Sequence, residues 1–150
     1  MTQELFVVED SDDDFESLER TCRSVGFPGL ISRFADAELA LVQLRGRERA
    51  GTNPARMPSL ILLDLNLPGM DGRELLKTLK TDPALAPVPV VVFTTSTNED
   101  DVRFCYQHHA NAYQMKPMSL GEMEADITTL LTYWMDTVVR APPLLTSKVR

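Results

Sequence analysis

Leu60-Ile61-Leu62-Leu63-Asp64-Leu65-Asn66-Leu67-Pro68 is the stretch that decides how this chain folds. Its four leading apolar residues are typical of a strand covered on both faces, as the strands of a parallel sheet are. The run stops at Asp64, and Pro68 and Gly69 then mark a turn. A capping box at Asp71 and Glu74 predicts that a helix follows. The segment is therefore a strand, a loop and a helix, with a carboxylate at the carboxyl end of the strand.

Short apolar runs alternate with helical segments along the rest of the chain. The other predicted strands lie at residues 5–8, 30–34, 88–93 and 112–115, and helices are predicted at about 12–25, 36–45, 71–79, 99–109 and 119–138. Five strands that alternate with five helices predict an α/β fold with a doubly wound parallel sheet. We expect one domain over residues 1–140 and a tail over residues 141–150.

Composition and charge argue against several classes of protein. The chain has 150 residues, with 15 basic and 22 acidic side chains and a formal net charge of −7. A nucleic-acid-binding face needs clustered Lys and Arg, so we expect no nucleic acid partner. The sequence shows neither an apolar run near the ~20 residues that cross a bilayer nor the basic start of a signal peptide. Two cysteines are too few for a disulfide framework, so we expect a cytoplasmic protein with free thiols.

Polar side chains of distinct types follow the predicted strands. They are Glu9 and Asp10 after the first strand, Asp64 after the third, Thr94 at the end of the fourth and Lys116 after the fifth. Open parallel sheets bind ligands at the carboxyl ends of their strands, so we expect these side chains to converge. An oxygen-rich cluster with few ligands suits Mg²⁺, which would keep the crowded carboxylates ionised. One aspartate is then a candidate nucleophile toward a phosphoryl group, with the metal and Lys116 balancing the charge on its oxygens and Thr94 donating a hydrogen bond to one of them. The acids from Asp12 onward are expected to form a solvated face.

The motifs around these residues resemble the receiver domain of two-component response regulators. They are Val7–Asp10, Leu62–Gly72, Pro89–Thr95 and Tyr113–Pro117, and the resemblance spans roughly residues 4–138. It implies a flavodoxin-like fold with strand order 2-1-3-4-5. It also implies that Asp64 accepts a phosphoryl group from a histidine kinase or a histidine phosphotransfer protein. Signalling would then pass through altered protein contacts of a stand-alone receiver that is not an enzyme beyond self-phosphotransfer and slow self-dephosphorylation.

The resemblance implies a ligand set for magnesium and phosphate. Asp10 and Asp64 would bind Mg²⁺, Glu9 would act mainly through water, and the carbonyl of Asn66 would complete the protein ligands. Lys116 resembles the lysine that pairs with the phosphoryl group. These roles agree with the cluster of carboxylates and one ammonium that the strand ends predict.

The resemblance also implies switch and tuning residues. Thr94 resembles the switch hydroxyl, and Tyr113 resembles the switch aromatic that turns inward on phosphorylation. Asn66 and Ser96 stand at the positions that tune hydrolysis of the acyl phosphate. The peptide bond between Lys116 and Pro117 is expected to be cis.

Some segments are similar to the small single-domain regulators that are paired with bacterial phytochromes. These segments are Leu63–Pro68, Phe93–Ser96, Asn111–Tyr113 and Tyr133–Trp134. This similarity implies a bacteriophytochrome as the kinase and a homodimer supported by the C-terminal helix. Trp134 lies in the apolar stripe of that helix, whereas Tyr133 and Met135 lie off it, so all three are candidates for dimer contact. The long Arg-rich connection at 45–58 departs from this group.

Two other functions remain open. A phosphatase of the haloacid-dehalogenase type also uses an aspartate after a strand, but its DxDxT motif would meet Asn66 and Pro68 here. A scaffold that dimerises without phosphate would need none of the site chemistry. Turnover of phosphate esters would favour the phosphatase. Partner binding that is the same with and without phosphorylation would favour the scaffold.

Overall fold

The computed structural model describes residues 3–49 and 57–142, in which five strands alternate with five α-helices. The strands are β1 (Glu4–Val8), β2 (Leu30–Phe34), β3 (Leu60–Leu63), β4 (Val90–Thr94) and β5 (Ala112–Met115). The helices are α1 (Asp12–Ser24), α2 (Ala37–Arg49), α3 (Gly72–Thr81), α4 (Glu99–Gln107) and α5 (Leu120–Leu131), and a π-helical turn (Thr132–Thr137) follows α5. No helix in these ranges has the length and hydropathy that a bilayer span requires.

The five strands form one parallel sheet in the order β2-β1-β3-β4-β5. Val8 pairs with Leu63, and Leu63 pairs with Val92, so the carboxyl ends of the central strands lie level. The order reverses between β1 and β3, because the chain first adds β2 on one side and then returns to add β3 on the other. Ligands of such sheets bind at this reversal. The predicted doubly wound fold and strand order are confirmed.

Helices cover both faces of the sheet and bury an apolar layer on each. Alternate residues of a strand point to opposite faces, so Phe6 packs in one layer and Leu5 in the other. The first layer contains residues of α2, α3 and α4, and the second contains residues of α1 and α5. All four residues of β3 are buried in this arrangement, as their unbroken apolar run predicts.

Helix α2 extends beyond its predicted end at residue 45. Arg47 lies in the added turn, donates to Glu4 at 3.0 Å and places its guanidinium 5.5 Å from the centre of the Phe6 ring. These contacts with β1 give the extra turn a partner in the core that local sequence does not reveal. The rest of the Arg-rich connection, at residues 50–56, lies outside the described residues.

The chain changes its helical winding after Leu131. Residues 132–137 form a π-helical turn, in which the Val138 amide donates to the Tyr133 carbonyl, five residues earlier, at 3.0 Å. The wider turn brings Met135 into the core, where it is 6% exposed. Met135 is therefore buried although it lies off the predicted apolar stripe, because that stripe assumes α-helical winding up to residue 138. Of the expected tail, residues 143–150 lie outside the described part of the chain.

Candidate functional site

The predicted site residues meet at the carboxyl edge of the sheet. The Asp64 amide donates to the Val8 carbonyl at 3.0 Å, and the Lys116 amide donates to the Thr94 carbonyl at 2.8 Å. Ladder hydrogen bonds thus continue one residue past β3 and β5. Glu9 is held in the same way beyond β1, since its amide donates to a carbonyl of β2 at 3.0 Å. These backbone hydrogen bonds therefore fix the positions from which the three side chains extend.

Three carboxylates at this edge form a group of oxygen ligands. One oxygen from each of Glu9, Asp10 and Asp64 lies within 4.8 Å of the others. Glu9 and Asp64 are buried, whereas Asp10 is exposed to solvent. Mg²⁺ prefers hard oxygen ligands and keeps several waters, so a half-open group of carboxylates suits it. The residues present fit a magnesium ion at the place that the sequence predicts.

Lys116 supplies the positive charge of the site. Its ammonium donates to Glu9, to Oδ2 of Asp14 at 2.8 Å and to Oδ2 of Asp64 at 3.1 Å. Burial alone would lower the pKa of Lys116, but its hydrogen bonds to Asp14 and Glu9 and the charges of Asp64 and Glu9 raise that pKa above its ordinary value. The ammonium therefore stays charged and draws the carboxylates together.

Glu9 is a site carboxylate whose pKa responds to its burial. Burial raises the pKa of Glu9 to about 7, although the hydrogen bond and the charge of Lys116 act against this rise. A bound metal ion needs the deprotonated carboxylate, so a proton on Glu9 competes with the metal. Metal affinity should consequently change with pH in the neutral range.

We predict that Mg²⁺ affinity falls as the pH falls through about 7. The pKa of Glu9 is raised, so the carboxylate gains a proton on the acid side of this value and loses the charge that attracts the cation. The expected slope approaches tenfold per pH unit at the acid end. Titration calorimetry between about pH 6 and 8 measures it. Glu9→Gln should bind more weakly, with little pH dependence in this range, and a wild-type affinity that stays constant would contradict the prediction.

Asp14 is a site residue that sequence reasoning missed. The run of acids at the start of α1 was expected to be a solvated face, yet Asp14 binds the ammonium of Lys116. The hydroxyl of Ser11 caps α1 by accepting the Asp14 amide at 3.2 Å, and this cap places the first turn beside the site. The sequence held no signal for this role, because Asp12 and Asp13 are of the same type and differ only in the direction in which they point.

Arg33 is a second residue near the site that sequence reasoning does not predict. From β2, its Nε donates to the Glu9 carbonyl at 3.0 Å and its Nη2 donates to the Asp10 carbonyl at 3.2 Å. A salt bridge of 2.6 Å joins the same guanidinium to Asp12 at the start of α1. Arg33 therefore holds the loop that presents two of the three carboxylates. It is a single base within a strand, which local sequence does not distinguish from a surface residue.

The two switch candidates meet on the loop between β4 and α4. Thr94 is fully buried, and its hydroxyl oxygen lies 3.4 Å from the amide of Ser96, which donates to it. The hydroxyl of Tyr113 donates to the Ser96 carbonyl at 2.9 Å. Burial raises the pKa of Tyr113, so the phenol remains a hydrogen-bond donor. The hydroxyl of Ser96 itself donates to Asp101 at 2.6 Å.

The remaining predicted residues lie around the entrance. Asn66 is exposed, and its backbone amide donates to Oδ1 of Asp64 at 3.4 Å. A cleft of about 200 Å³, lined among others by Leu18, Lys116 and Met123, leads to Asp64. The expected cis bond after Lys116 is wrong, since no peptide bond in the described ranges is cis. Lys116 reaches the site with the trans bond that X–Pro sequences favour intrinsically.

Comparisons with known sequences agree with this geometry. The family model for the response regulator receiver domain matches residues 5–128. The chain is 37% identical over 131 residues to the "Probable methanogenesis regulatory protein FilR2" of Methanothrix harundinacea, which covers 87% of this chain and 83% of that protein. It is 38% identical over 136 residues to "Response regulator Rcp1" of Synechocystis sp., with 89% of this chain and 90% of that protein covered.

Solved structures show the same fold. The phosphorylated cyanobacterial phytochrome response regulator RcpA matches with a TM-score of 0.83 and 35% identity, over 93% of this chain and 99% of that chain. The Mn²⁺-bound form of Rcp1 matches with a TM-score of 0.80 and 34% identity, over 93% and 99% of the two chains. The sequence match, the fold and the group of strand-end residues agree. The chain therefore belongs to the response regulator receiver domain family.

Proposed function

We propose that this receiver accepts a phosphoryl group on Asp64 in a Mg²⁺-dependent reaction, with a histidine kinase or a histidine phosphotransfer protein as the donor. The observation that carries the proposal is the setting of Asp64. Its carboxylate is buried beside two other carboxylates, lies 3.1 Å from the ammonium of Lys116 and faces a cleft open to solvent. The experiment is to incubate the chain with a small-molecule phosphodonor, with Mg²⁺ or with a chelator. Labelling that requires Mg²⁺ supports the proposal.

In this reaction Asp64 is the nucleophile. A bond forms between one of its oxygens and phosphorus as the P–N bond of the donor breaks, and the electron pair of that bond stays on the imidazole nitrogen. Lys116 already contacts Oδ2 of Asp64, so its ammonium is in place to pair with an oxygen of the transferred group. A magnesium ion held by Glu9, Asp10 and Asp64 would neutralise charge on the phosphoryl oxygens.

Phosphorylation would change contacts on one face of the domain. The Thr94 hydroxyl, which now accepts from the Ser96 amide, would donate to a phosphoryl oxygen. The loop that carries Ser96 also binds Tyr113, so both switch residues respond to the same loop. Tyr106 and Met115 lie exposed on this side of the molecule. We infer that signalling passes through protein contacts on the α4–β5–α5 face.

We infer that the chain is not an enzyme toward other substrates and that it loses its own phosphoryl group slowly. Asn66 and Ser96 are the residues that would tune this hydrolysis, and the hydroxyl of Ser96 is engaged with Asp101 at 2.6 Å. The fully buried Thr94 and the group formed by Lys116 and the carboxylates favour a switch over the phosphatase and the phosphate-independent scaffold.

We propose that the kinase is of the bacteriophytochrome type. The support is the likeness to RcpA, which is described as a phytochrome response regulator, over 93% of this chain. The cytoplasm is the compartment that suits such a partner. Transfer from a phosphorylated kinase of this type should be faster than transfer from an unrelated histidine kinase.

We further propose a homodimer through the C-terminal segment. Tyr133 is 49% exposed and packs edge-on against Trp134, with ring centroids 5.0 Å apart, and Val139 is also exposed. Exposed aromatic and aliphatic side chains within one short segment are typical of protein interfaces. Met135 does not contribute, because it is buried in the core of its own chain.

We predict that Val139→Asp weakens this dimer by at least about tenfold, because a charge would be buried without a partner. Sedimentation velocity at several concentrations measures the change. The matched control is Met118→Asp, which alters an equally exposed side chain near the cleft and should leave the dimer intact. A wild-type chain that sediments as a monomer at all concentrations would contradict the dimer.

A further inference from the structure

Arg73, at the start of α3, bridges two helices. Its Nε donates to Oδ1 of Asp101 at 2.8 Å, and its Nη1 donates to Oδ1 of Asp71 at 3.0 Å. The side chains of Arg73 and Asp101 are 27% and 15% exposed, so solvent screens this pair less than it screens an ion pair on the open surface. Charge-assisted hydrogen bonds of this kind are among the stronger polar contacts in proteins. The bridge joins the first turn of α3 to the first turn of α4.

The α3 end of this bridge touches the backbone of the phosphoacceptor. The Gly72 amide donates to the Leu65 carbonyl at 3.0 Å. A Cβ atom on Gly72 would lie 2.2 Å from the carbonyl oxygen of Asp64, so the start of the helix leaves no room there for a side chain. Arg73 therefore follows directly after a close contact with the backbone of residue 64.

The α4 end of the bridge holds the loop between β4 and α4. Oδ1 of Asp101 accepts a hydrogen bond from Nε of Arg73, and Oδ2 accepts one from the Ser96 hydroxyl at 2.6 Å. The Ser96 hydroxyl in turn accepts the amide of Asn98, the N-cap of α4, at 3.3 Å. The hydrogen bond from Ser96, together with those from Arg73, holds the pKa of Asp101 below its ordinary value. Asp101 thus stays charged and fixes the side chain of Ser96.

The backbone of the same serine holds the switch tyrosine. The carbonyl of Ser96 accepts the hydroxyl of Tyr113 at 2.9 Å, and the half-buried ring of Tyr113 packs against the apolar layer beneath α4. We call this arrangement the inward position of Tyr113. Contacts therefore run without a break from the backbone of Asp64 through Arg73, Asp101 and Ser96 to Tyr113.

We propose that the Arg73–Asp101 pair is a latch that positions Ser96 and thereby favours the inward position of Tyr113. The inference rests on the proposed function, because that function makes Tyr113 the switch residue. Arg73 and Asp101 are positioning residues, since they act through Ser96 and through Gly72. Loss of either charge frees the Ser96 side chain, and the carbonyl that accepts Tyr113 is then no longer held in place.

A neighbouring ion pair provides a matched control. Asp100 precedes Asp101 in the first turn of α4 and pairs with Arg103 at 2.9 Å, but both side chains are exposed. Asp100→Asn removes the same charge from the same turn, so it alters the helix terminus as Asp101→Asn does. It leaves the contact between α3 and α4 intact. A difference between the two variants therefore reports on the latch.

The test is ¹⁹F NMR of the full chain labelled with 3-fluorotyrosine, without phosphodonor. Tyr113→Phe and Tyr133→Phe each remove one resonance and so assign all three tyrosines. We expect Asp101→Asn to shift the ratio of inward to outward Tyr113 by about fivefold or more, the lower end of ordinary coupling between sites. Arg73→Gln should have a similar effect, and the double variant should add little, because both changes open one latch. Asp100→Asn should leave the resonance unchanged.

Circular dichroism and labelling by a phosphodonor are measured on the same samples. An unchanged Tyr113 resonance in an Asp101→Asn chain that folds and accepts phosphate would overturn the latch while leaving the proposed function intact. Failure of the wild type itself to accept phosphate would instead overturn the proposed function. If Asp101→Asn does not fold, Ser96→Ala removes the hydroxyl that joins Asp101 to the loop, leaves the Arg73–Asp101 pair in place, and should shift Tyr113 in the same direction. No shift in that variant would equally overturn the latch.

Discussion

Asp64→Asn will leave the chain unable to accept a phosphoryl group. The amide keeps the shape of the side chain and can still accept from Lys116, but it has no carboxylate oxygen with which to attack phosphorus. The phosphorylation rate should fall by about 10⁴-fold or more, a loss of the size seen when enzymes lose their catalytic nucleophile. Time courses with a small-molecule phosphodonor and Mg²⁺, followed by intact mass, measure the rate.

Asp13→Asn is the matched control for this experiment. It makes the same chemical change at an exposed acid in the first turn of α1, and the labelling rate should stay within about twofold of wild type. A chelator should stop labelling of the wild type, and renewed Mg²⁺ should restore it. Stoichiometric labelling of the Asp64→Asn chain at the wild-type rate would mean that another residue accepts the phosphoryl group.

Lys116→Met should slow phosphorylation by about 10²–10³-fold, the usual cost of removing one group that stabilises charge in a transition state. The same change should destabilise the metal-free fold by about 3 kcal/mol, because it leaves the buried carboxylates of Glu9 and Asp64 without their cationic partner. Mg²⁺ should restore much of this loss by taking over the role of the counter-ion. Urea denaturation with and without Mg²⁺ measures the stability, and phosphodonor time courses measure the rate.

Lys77→Met is the control for this second prediction. Lys77 lies exposed on α3, so its loss should change neither the phosphorylation rate nor the stability of the metal-free fold by more than a small amount. If Lys116→Met destabilises the metal-free chain but leaves the phosphorylation rate unchanged, Lys116 is a structural counter-ion only. That outcome would contradict its proposed contact with the phosphoryl group.

The features predicted correctly from the sequence are those that local patterns determine. The unbroken apolar run 60–63 is typical of a strand covered on both faces, and the end of this strand sets the position of Asp64. The strand-end positions of Glu9 and Lys116 follow from the same reasoning. Since parallel strands end at one edge, three local predictions together placed most of the site.

The features that were missed depend on contacts between distant segments. Asp14 has the same chemistry as its acidic neighbours, and only the tertiary fold brings its carboxylate to the ammonium of Lys116. Arg33 acts through backbone carbonyls, which any sequence offers. The burial of Met135 does not follow from the local pattern, because that pattern predicts α-helical winding, whereas the chain forms a π-helical turn that packs Met135 against the core.

The central claim, that Asp64 carries the phosphoryl group, is tested most directly by locating that group. Borohydride reduces an aspartyl phosphate to a primary alcohol with release of phosphate, which leaves homoserine at the phosphorylated position. Peptide mass spectrometry of the chain, treated first with phosphodonor and Mg²⁺ and then with borohydride, should find homoserine at position 64 and at no other aspartate. Homoserine at Asp10, or a phosphoryl group on His108 or His109 with residue 64 unmodified, would contradict the claim.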